Sequence, residues 1–369
     1  MQTGNRSLAR VSDETWKETD MTTDTLLKPE QIRAERDAQP RLRARDLADK
    51  LGISEARLVA ADLGQGGVTR ITCDFDRVFP ALERLGEVMA LTRNASCVIE
   101  KVGRFANYRG GPHAALVVND EIDLRMFPKH WVHGFAVEKE TNAGPRHSLQ
   151  FFDKAGDAVF KVHLRESSLH EEWLGVVEEL RLETQSDQIE FDKRVPTQGP
   201  MGDPEKADKL RAEWDRMTDT HQFLQMVRKL KMNRLGAYRM AGEPYARKLS
   251  TDAVETIFNR AAEDDIPVMF FVGNMGCIEI HTGPIKNIKW AGPWLNVLDP
   301  GFDLHLRADH IAEVWAVTKS TREGPAISVE VFDAEGMVIT QIFGVLRQGD
   351  KGAAWNDLVA SLPNEEVVA

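Results

Sequence analysis

The sequence predicts an α+β protein that is a tandem duplication of two similar domains, each an antiparallel β-sheet with flanking helices. Three observations lead to this fold class. The two halves of the chain repeat one another, paired runs of β-forming residues are joined by short turns, and helical patterns follow the strands in each half. Successive strands that are closed by helices indicate antiparallel sheets rather than alternating β-α units.

The repeat can be read directly from the sequence. The segment VMALTRNASCVIEKVG (88–103) matches VMFFVGNMGCIEIHTG (268–283) at a constant offset of 180 positions. The same offset pairs His130 with His310 without a gap, and 20 of the 69 positions from 88 to 156 are identical to their counterparts. This period is far longer than that of a solenoid repeat, so we interpret it as the duplication of a whole domain.

Each half contains clear strand signals. SLQFFDKAGDAVFKVHL (148–164) and ISVEVFDAEGMVITQIF (327–343) are two runs of β-forming residues around a short turn that contains glycine, which predicts a hairpin in each half. AALVVND (114–120) and WLNVLDPG (294–301) predict further strands that end at turn residues.

Helices are predicted after the strands. HEEWLGVVEEL (170–180) places its apolar residues on one helical face, and AWNDLVASL (354–362) repeats this pattern near the C-terminus.

The composition of the connecting segments divides the chain into four parts. We expect a disordered N-terminal tail over 1–25, a first repeat over 26–184, a linker over 185–213 and a second repeat over 214–364. The linker is expected because its stretch TQGPMGDPEKAD is polar and rich in proline and glycine.

Composition excludes several classes of protein. No run approaches 18 apolar residues, so we expect no membrane insertion, and the N-terminus lacks the pattern of a secretory signal. Three widely spaced cysteines suit a reducing compartment, and we expect a cytoplasmic protein. The net charge of −11 argues against nucleic-acid binding.

Common enzyme motifs are absent, so any chemistry is expected to belong to a bound cofactor.

One segment is unusual for its histidine. RMTDTHQFLQMVRK (216–229) predicts a helix whose apolar residues recur at i, i+3, i+4 and i+7, beginning at Phe223, and His221 comes just before them. Three good N-cap residues precede His221, which places it in the first helical turn. The helix dipole there disfavours imidazolium, and a neutral ring has the lone pair that a metal ligand requires. The alternative is a partly buried histidine that bonds a backbone carbonyl.

The duplication provides an internal comparison. Residues kept in both halves, such as His130 and His310, are interpreted as serving the shared fold. Residues present in one half only are free to serve an asymmetric site. His221 has no histidine counterpart, and Arg125 lies opposite His305. His221 and Arg125 are therefore candidates for such a site.

Several segments together resemble one family. They are MTDTHQF (217–223), EIDLRMF (121–127), SLQFFDKAGDAVFKV (148–162), VGNMGCIEIHTGP (272–284) and GPWLNVLDPGFDLHL (292–306). Over nearly the whole chain from about residue 40 to 362, the sequence resembles the HemS-like hemin-degrading factors. These are cytoplasmic haem-binding and haem-trafficking proteins of bacterial haem-uptake systems.

The resemblance implies haem b as bound ligand, cargo or substrate, held in a cleft that involves both halves. It implies that His221 is the axial ligand to the iron and that Arg125 lies on the opposite face of the haem with Phe127 nearby. Arg234 is implied to meet a haem propionate. Some relatives have a tyrosine where this chain has Phe343, so the role of that position is left open.

Two functions of different classes follow from the resemblance. The protein could receive haem and deliver it for degradation, or it could be an enzyme that opens the macrocycle, with Arg125 as a catalytic residue on the side away from His221. The sequence contains no flavin or NAD fingerprint, so electrons would come from outside, and this favours trafficking. A haem-uptake transporter or a downstream haem oxygenase are the expected partners. A second haem at His281 or His305 is left open.

Overall fold

The computed structural model describes residues 27–142, 144–322, 324–345 and 350–365. The predicted tail over 1–25 lies outside these residues. Within them the helices are α1 (Pro29–Ala38), α2 (Ala44–Leu51), α3 (Glu55–Ala60), α4 (Phe75–Arg84), α5 (Trp173–Leu180), α6 (Ala207–Asp215), α7 (Gln222–Lys229), α8 (Arg234–Ala241), α9 (Ala253–Glu263) and α10 (Asp350–Ser361).

The strands of the first half are β1 (Val68–Ile71), β2 (Gly86–Arg93), β3 (Cys97–Arg104), β4 (Ala115–Val118), β5 (Asp123–Met126), β6 (His133–Lys139), β7 (Arg146–Phe152) and β8 (Ala158–Ser168). Those of the second half are β9 (Ala246–Leu249), β10 (Val268–Gly273), β11 (Cys277–Gly283), β12 (Ile288–Ala291), β13 (Trp294–Asp299), β14 (Phe302–Arg307), β15 (Glu313–Thr321), β16 (Gly324–Phe332) and β17 (Val338–Gly344). The predicted hairpins, strands and helices are all present.

The strands form two antiparallel sheets. The first has nine strands in the order β1-β6-β7-β8-β2-β3-β14-β13-β12, and the second has eight in the order β4-β5-β11-β10-β17-β16-β15-β9. Helices pack on the faces of both sheets. The predicted α+β class, with two antiparallel sheets and flanking helices, is confirmed.

The two halves exchange strands, which the sequence did not predict. Strands β12 to β14 of the second half extend the first sheet, where Leu304 of β14 is the register partner of Ile99 in β3. Strands β4 and β5 of the first half extend the second sheet, where Arg125 of β5 is the register partner of Ile278 in β11. Each sheet is therefore built by both halves. Alternation along a strand fixes which side chains face the core, but it does not fix the neighbouring strand.

The sheets meet through a reciprocal pair of asparagines, one in each repeat. Asn94 Nδ2 donates to the carbonyl oxygen of Gly273 at 3.2 Å, and Asn274 Nδ2 donates to the carbonyl oxygen of Arg93 at 2.9 Å. Asn94 and Asn274 are separated by the repeat offset, so the halves are related by an approximate two-fold rotation at this junction. The asparagines satisfy backbone carbonyls where the sheets come together.

Helices cover only part of the outer face of the second sheet. Residues of α6, α7 and α8 form one apolar cluster with Ala246, Trp315 and Val317 on strands β9 and β15. Most of helix α6 lies in the segment predicted as a linker (185–213), yet its Leu210 is buried in this cluster, as is Trp214 at the start of the predicted second repeat. The division into repeats at 26–184 and 214–364 stays a prediction. None of the helices that the structure describes combines the length and apolar character that a membrane crossing requires.

Candidate functional site

The part of the second sheet that these helices leave open carries a group of half-buried apolar residues. Register partners in antiparallel strands share a face, as do residues two apart on one strand. The pairings of β10 with β11 and β17 therefore place four side chains together, which we call the apolar strip: Met269, Phe271, Ile278 and Phe343. The rings of Phe271 and Phe343 lie 5.2 Å apart in an edge-to-face arrangement. The strip places two aromatic and two aliphatic side chains on one partly exposed sheet face.

Arg125 lies on the face of this strip, because it is the register partner of Ile278. Phe127 follows it by two residues in extended backbone and is also half-buried. The Arg125 guanidinium forms an ion pair with Asp123 on the same strand. Strand exchange thus brings two predicted site residues of the first half onto a surface that otherwise belongs to the second.

Helix α7 begins at Gln222, so His221 is its N-cap and does not lie in the first turn as predicted. The predicted packing face is confirmed, since Phe223, Met226 and Val227 are buried. The difference arises because the Asp219 carboxylate accepts the backbone N–H of His221 at 2.7 Å and holds the turn that precedes the helix. His221 still has helical dihedral angles, φ −67 and ψ −20, at the positive end of the helix dipole.

The side chain of His221 is almost free of the protein. It is 94% exposed, and its Nδ1 lies 2.7 Å from Oδ1 of Asp219. The backbone N–H and the ring of His221 both lower the pKa of the Asp219 carboxyl, so this partner stays ionised. An ionised carboxylate can only accept a hydrogen bond, so Nδ1–H donates to it, and in the neutral ring the lone pair then lies on Nε2. The alternative of a partly buried histidine bonded to a backbone carbonyl is therefore wrong.

Arg234 lies in a buried network of charges. The side chain of Asn233 caps α8 by accepting the N–H of Gly236, which puts Arg234 in the first turn. Its Nη1 donates to Glu330 Oε2 at 2.6 Å and to the Tyr238 hydroxyl at 3.2 Å. Glu330 is fully buried, and its other oxygen accepts from Lys319 Nζ at 2.6 Å. Two cations thus share one carboxylate, leaving one positive charge in excess.

Electrostatics favour the charged forms of Glu330 and Arg234. Burial by itself would raise the pKa of the Glu330 carboxyl, but the charges of Arg234 and Lys319 outweigh it and lower that pKa to about 2. The pKa of Arg234 is raised, because Glu330 more than offsets the effect of burial. Burial lowers the pKa of Lys319, an effect that Glu330 opposes.

Lys319 was missed by sequence reasoning. Its counterpart in the first half is Lys139, so the comparison of the repeats gave no reason to select it. In the structure Lys139 is exposed, whereas Lys319 is buried among charges. The register places Lys319 and Glu330 on the face of the apolar strip, because Ser328, the partner of Phe343, is two residues from Glu330. Only the pairing of strands reveals this.

The other two candidate histidines lie elsewhere. His281 is buried on the inner face of the second sheet, with its ring stacked on Phe302 at 3.6 Å. Burial lowers the pKa of His281 to about 3, and the charge of Lys101 contributes a smaller part of this change. His305 is half-buried on the first sheet, where its Nδ1 lies 2.7 Å from Oδ1 of Asn296. Neither histidine borders the apolar strip.

Comparisons with known proteins agree with this fold. The family model described as the haemin-degrading HemS/ChuX domain matches residues 52–180 and 231–362. The chain is 36% identical to the hemin transport protein HmuS of Yersinia pestis over 329 residues, covering 88% of this chain and 94% of the relative. The hemin transport protein HemS of Yersinia enterocolitica is also 36% identical, over 330 residues, with the same coverage.

Two solved structures are similar over most of the chain. The haem-bound form of PhuS, a haem-binding protein from Pseudomonas aeruginosa, has a TM-score of 0.86 and 39% identity, covering 92% of this chain and all of that one. ChuS, described as a haem oxygenase of E. coli, has a TM-score of 0.79 and 33% identity, covering 89% of this chain and 98% of that one. The chain belongs to the HemS/ChuX haemin-degrading family.

Proposed function

We propose that this protein binds haem b reversibly in the cytoplasm through His221 and delivers it for degradation. The observation that supports this most directly is the state of the His221 ring. Nε2 has no partner in the described protein, Nδ1 is held by Asp219, and the side chain is 94% exposed. An imidazole oriented by a carboxylate in this way is the usual arrangement of a metal-binding histidine.

The residues of the site fit haem. The apolar strip can cover one face of the macrocycle, and burial of apolar surface would favour binding. Bound haem supplies an iron with one histidine ligand and an open sixth position. Arg125 would lie on the side of that open position. A guanidinium has no lone pair to give to iron, but it can donate hydrogen bonds to an exogenous anion bound there.

The network around Glu330 fits the propionates. Arg234 and Lys319 together exceed the charge of Glu330 by one, which favours an additional carboxylate next to them. Arg234 uses Nη1 for Glu330 and Tyr238, so its other donors are available to a propionate.

The cysteines support haem b, which is not covalently attached. Haem attachment through thioethers requires cysteines close to an axial histidine, in the pattern CxxCH. Cys97 and Cys277 are buried, and burial raises the pKa of both thiols. Cys73, the third cysteine, also has its pKa raised by burial, to about 12. These thiols stay protonated inside the fold.

Carrier and enzyme differ in what happens to the cargo. A carrier would accept haem from an uptake transporter and pass it to a downstream haem oxygenase, for which one exchangeable ligand on an exposed turn is suited. Degradation of the macrocycle by the protein itself is the second candidate, and Arg125 favours it because Nε and Nη2 have no acceptor among the residues described. In that case Arg125 would be a catalytic residue and electrons would come from an external reductant.

The test is a hemin titration of the wild type, His221→Ala and Arg125→Ala, followed at the Soret band. His113→Ala, which removes an exposed histidine outside the site, is the matched control. We expect His221→Ala alone to lose or shift the band, and an unchanged band would refute the proposal. Ascorbate is then added with catalase present. A band that survives indicates a carrier, and clean decay to one tetrapyrrole product indicates an enzyme.

A further inference from the structure

Asp123 and Arg125 form an ion pair within β5. Because they are two residues apart, both side chains lie on the face that carries the apolar strip. Arg125 Nη1 contacts Asp123 Oδ1 and also donates to the carbonyl oxygen of Leu124 at 3.2 Å. Its Nε and Nη2 have no hydrogen-bond partner in the described parts of the chain. One nitrogen of the guanidinium is therefore held by the strand, while its other donors remain available.

The pair is partly removed from water. The Arg125 side chain is 35% exposed and that of Asp123 is 20% exposed. Burial raises the pKa of the Asp123 carboxyl, and the charge of Arg125 opposes this only in part. A carboxylate at this position lowers the positive potential that Arg125 presents, because charges are screened less here than in open solvent.

We propose that Asp123 is a positioning residue for Arg125. The Asp123 carboxylate holds the guanidinium on the ligand face of β5 and compensates part of its charge. This inference rests on the proposed function, because it places Arg125 on the side of the haem opposite His221. An exogenous anion that binds the iron on that side would meet a guanidinium whose charge is partly cancelled. Removal of the Asp123 charge would then strengthen the attraction between Arg125 and the anion.

The duplication supplies a matched control. Asp303 is the counterpart of Asp123 at the repeat offset and precedes His305 as Asp123 precedes Arg125. It lies on β14 in the first sheet and is also half-buried. The change Asp303→Asn therefore alters the same chemical group in a similar strand, away from the apolar strip.

The experiment is a titration with azide of the hemin-loaded wild type, Asp123→Asn, Arg125→Ala, the double variant and Asp303→Asn. We expect Asp123→Asn to bind azide about three- to fivefold more tightly, in line with a partly exposed ion pair. Arg125→Ala should bind azide more weakly, and Asp303→Asn should match the wild type. In the Arg125→Ala background, Asp123→Asn should tighten azide binding less than in the wild type, because only the direct repulsion between Asp123 and azide is then relieved.

The outcomes distinguish failure of this inference from failure of the proposed function. An unchanged or weaker azide affinity in Asp123→Asn overturns the inference, as does equal tightening without Arg125. Thermal unfolding of each variant shows whether a change in azide affinity comes from a disturbed fold instead of from loss of the Asp123–Arg125 ion pair. A wild-type protein that gives no Soret band with hemin would overturn the proposed function and this inference together. If the wild type binds hemin but Asp123→Asn has the azide affinity of the wild type, only the inference about Asp123 is overturned.

Discussion

The Nδ1 atom of His221 lies 2.7 Å from Oδ1 of Asp219, and the same oxygen accepts the backbone N–H of His221 at 2.7 Å. One carboxylate oxygen therefore fixes both the ring and the start of α7. If Nε2 binds iron, Asp219 holds the tautomer that leaves this nitrogen unprotonated and makes it more basic.

Asp219→Asn is accordingly expected to weaken hemin binding by roughly 10- to 100-fold, the usual effect of losing such a carboxylate behind a metal ligand. The affinity is measured by Soret titration. Asp208→Asn, which changes a fully exposed aspartate on α6, is the control and should bind hemin as the wild type does. Equal affinities for Asp219→Asn and the control would show that the carboxylate does not act on the ligand.

Arg234→Ala should weaken binding of hemin much more than binding of its dimethyl ester, which lacks the two carboxylate charges. A charge-assisted hydrogen bond contributes about 1.5 to 3 kcal/mol, or roughly 10- to 100-fold in affinity. The measurement is the ratio of the two dissociation constants. Arg239→Ala, one turn along α8 and paired with Glu313, is the control. If the ratio is the same in all three proteins, Arg234 has no propionate to bind.

Glu330→Gln is expected to destabilise the fold by about 3 to 5 kcal/mol, because Arg234 and Lys319 would be buried without their carboxylate. Urea unfolding measures this change. The lowered pKa also predicts a pH dependence. The folded state holds the Glu330 proton less tightly than the unfolded state, so this group's contribution is complete above its ordinary pKa and is lost as the pH falls towards 2.

The pH dependence of the free energy of unfolding in acid gives an independent check that the pKa of Glu330 is lowered. Between about pH 4.5 and 2, the wild type should lose stability more steeply than Glu330→Gln, which has no carboxyl to protonate. Parallel curves in this range would contradict an ionised, buried Glu330.

The carboxyl of Glu279 has a raised pKa, whereas that of Glu330 has a lowered one. Glu279 is fully buried, neither carboxylate oxygen makes a hydrogen bond of normal geometry in the described structure, and Thr92 and Lys101 offset the effect of burial only in part. Burial raises the pKa of this carboxyl to about 8. The folded state then binds the proton more tightly than the unfolded state, so stability should fall as the pH rises from about 4.5 to 8.

Glu279→Gln should remove this fall and stabilise the protein by at least about 1 kcal/mol at pH 8, since the amide carries no charge to bury. Thermal unfolding at pH 6 and pH 8 provides the comparison. Glu255→Gln alters an exposed glutamate on α9 and should leave the pH dependence unchanged. A Glu279→Gln protein with the pH dependence of the wild type would show that this carboxyl titrates normally.

Local pattern was sufficient for much of the fold. The runs of β-forming residues around a short turn with glycine in 148–164 and 327–343 predicted the hairpins β7-β8 and β16-β17, because such residues favour extended backbone and glycine favours a tight turn. The spacing of Phe223, Met226 and Val227 predicted the buried face of α7 for the equivalent reason in a helix. Comparison of the halves also separated His221 and Arg125 from residues that both repeats share.

By itself, then, the sequence determined the duplication, the class of fold, the main elements and the two residues that differ between the halves. Only the tertiary structure decided that β5 joins the second sheet, which brings Arg125 to the strip formed by β10, β11 and β17. It also decided that Lys319 shares Glu330 with Arg234. Strand pairing and burial of charge depend on residues far apart in the chain, whereas periodicity and capping depend on near neighbours.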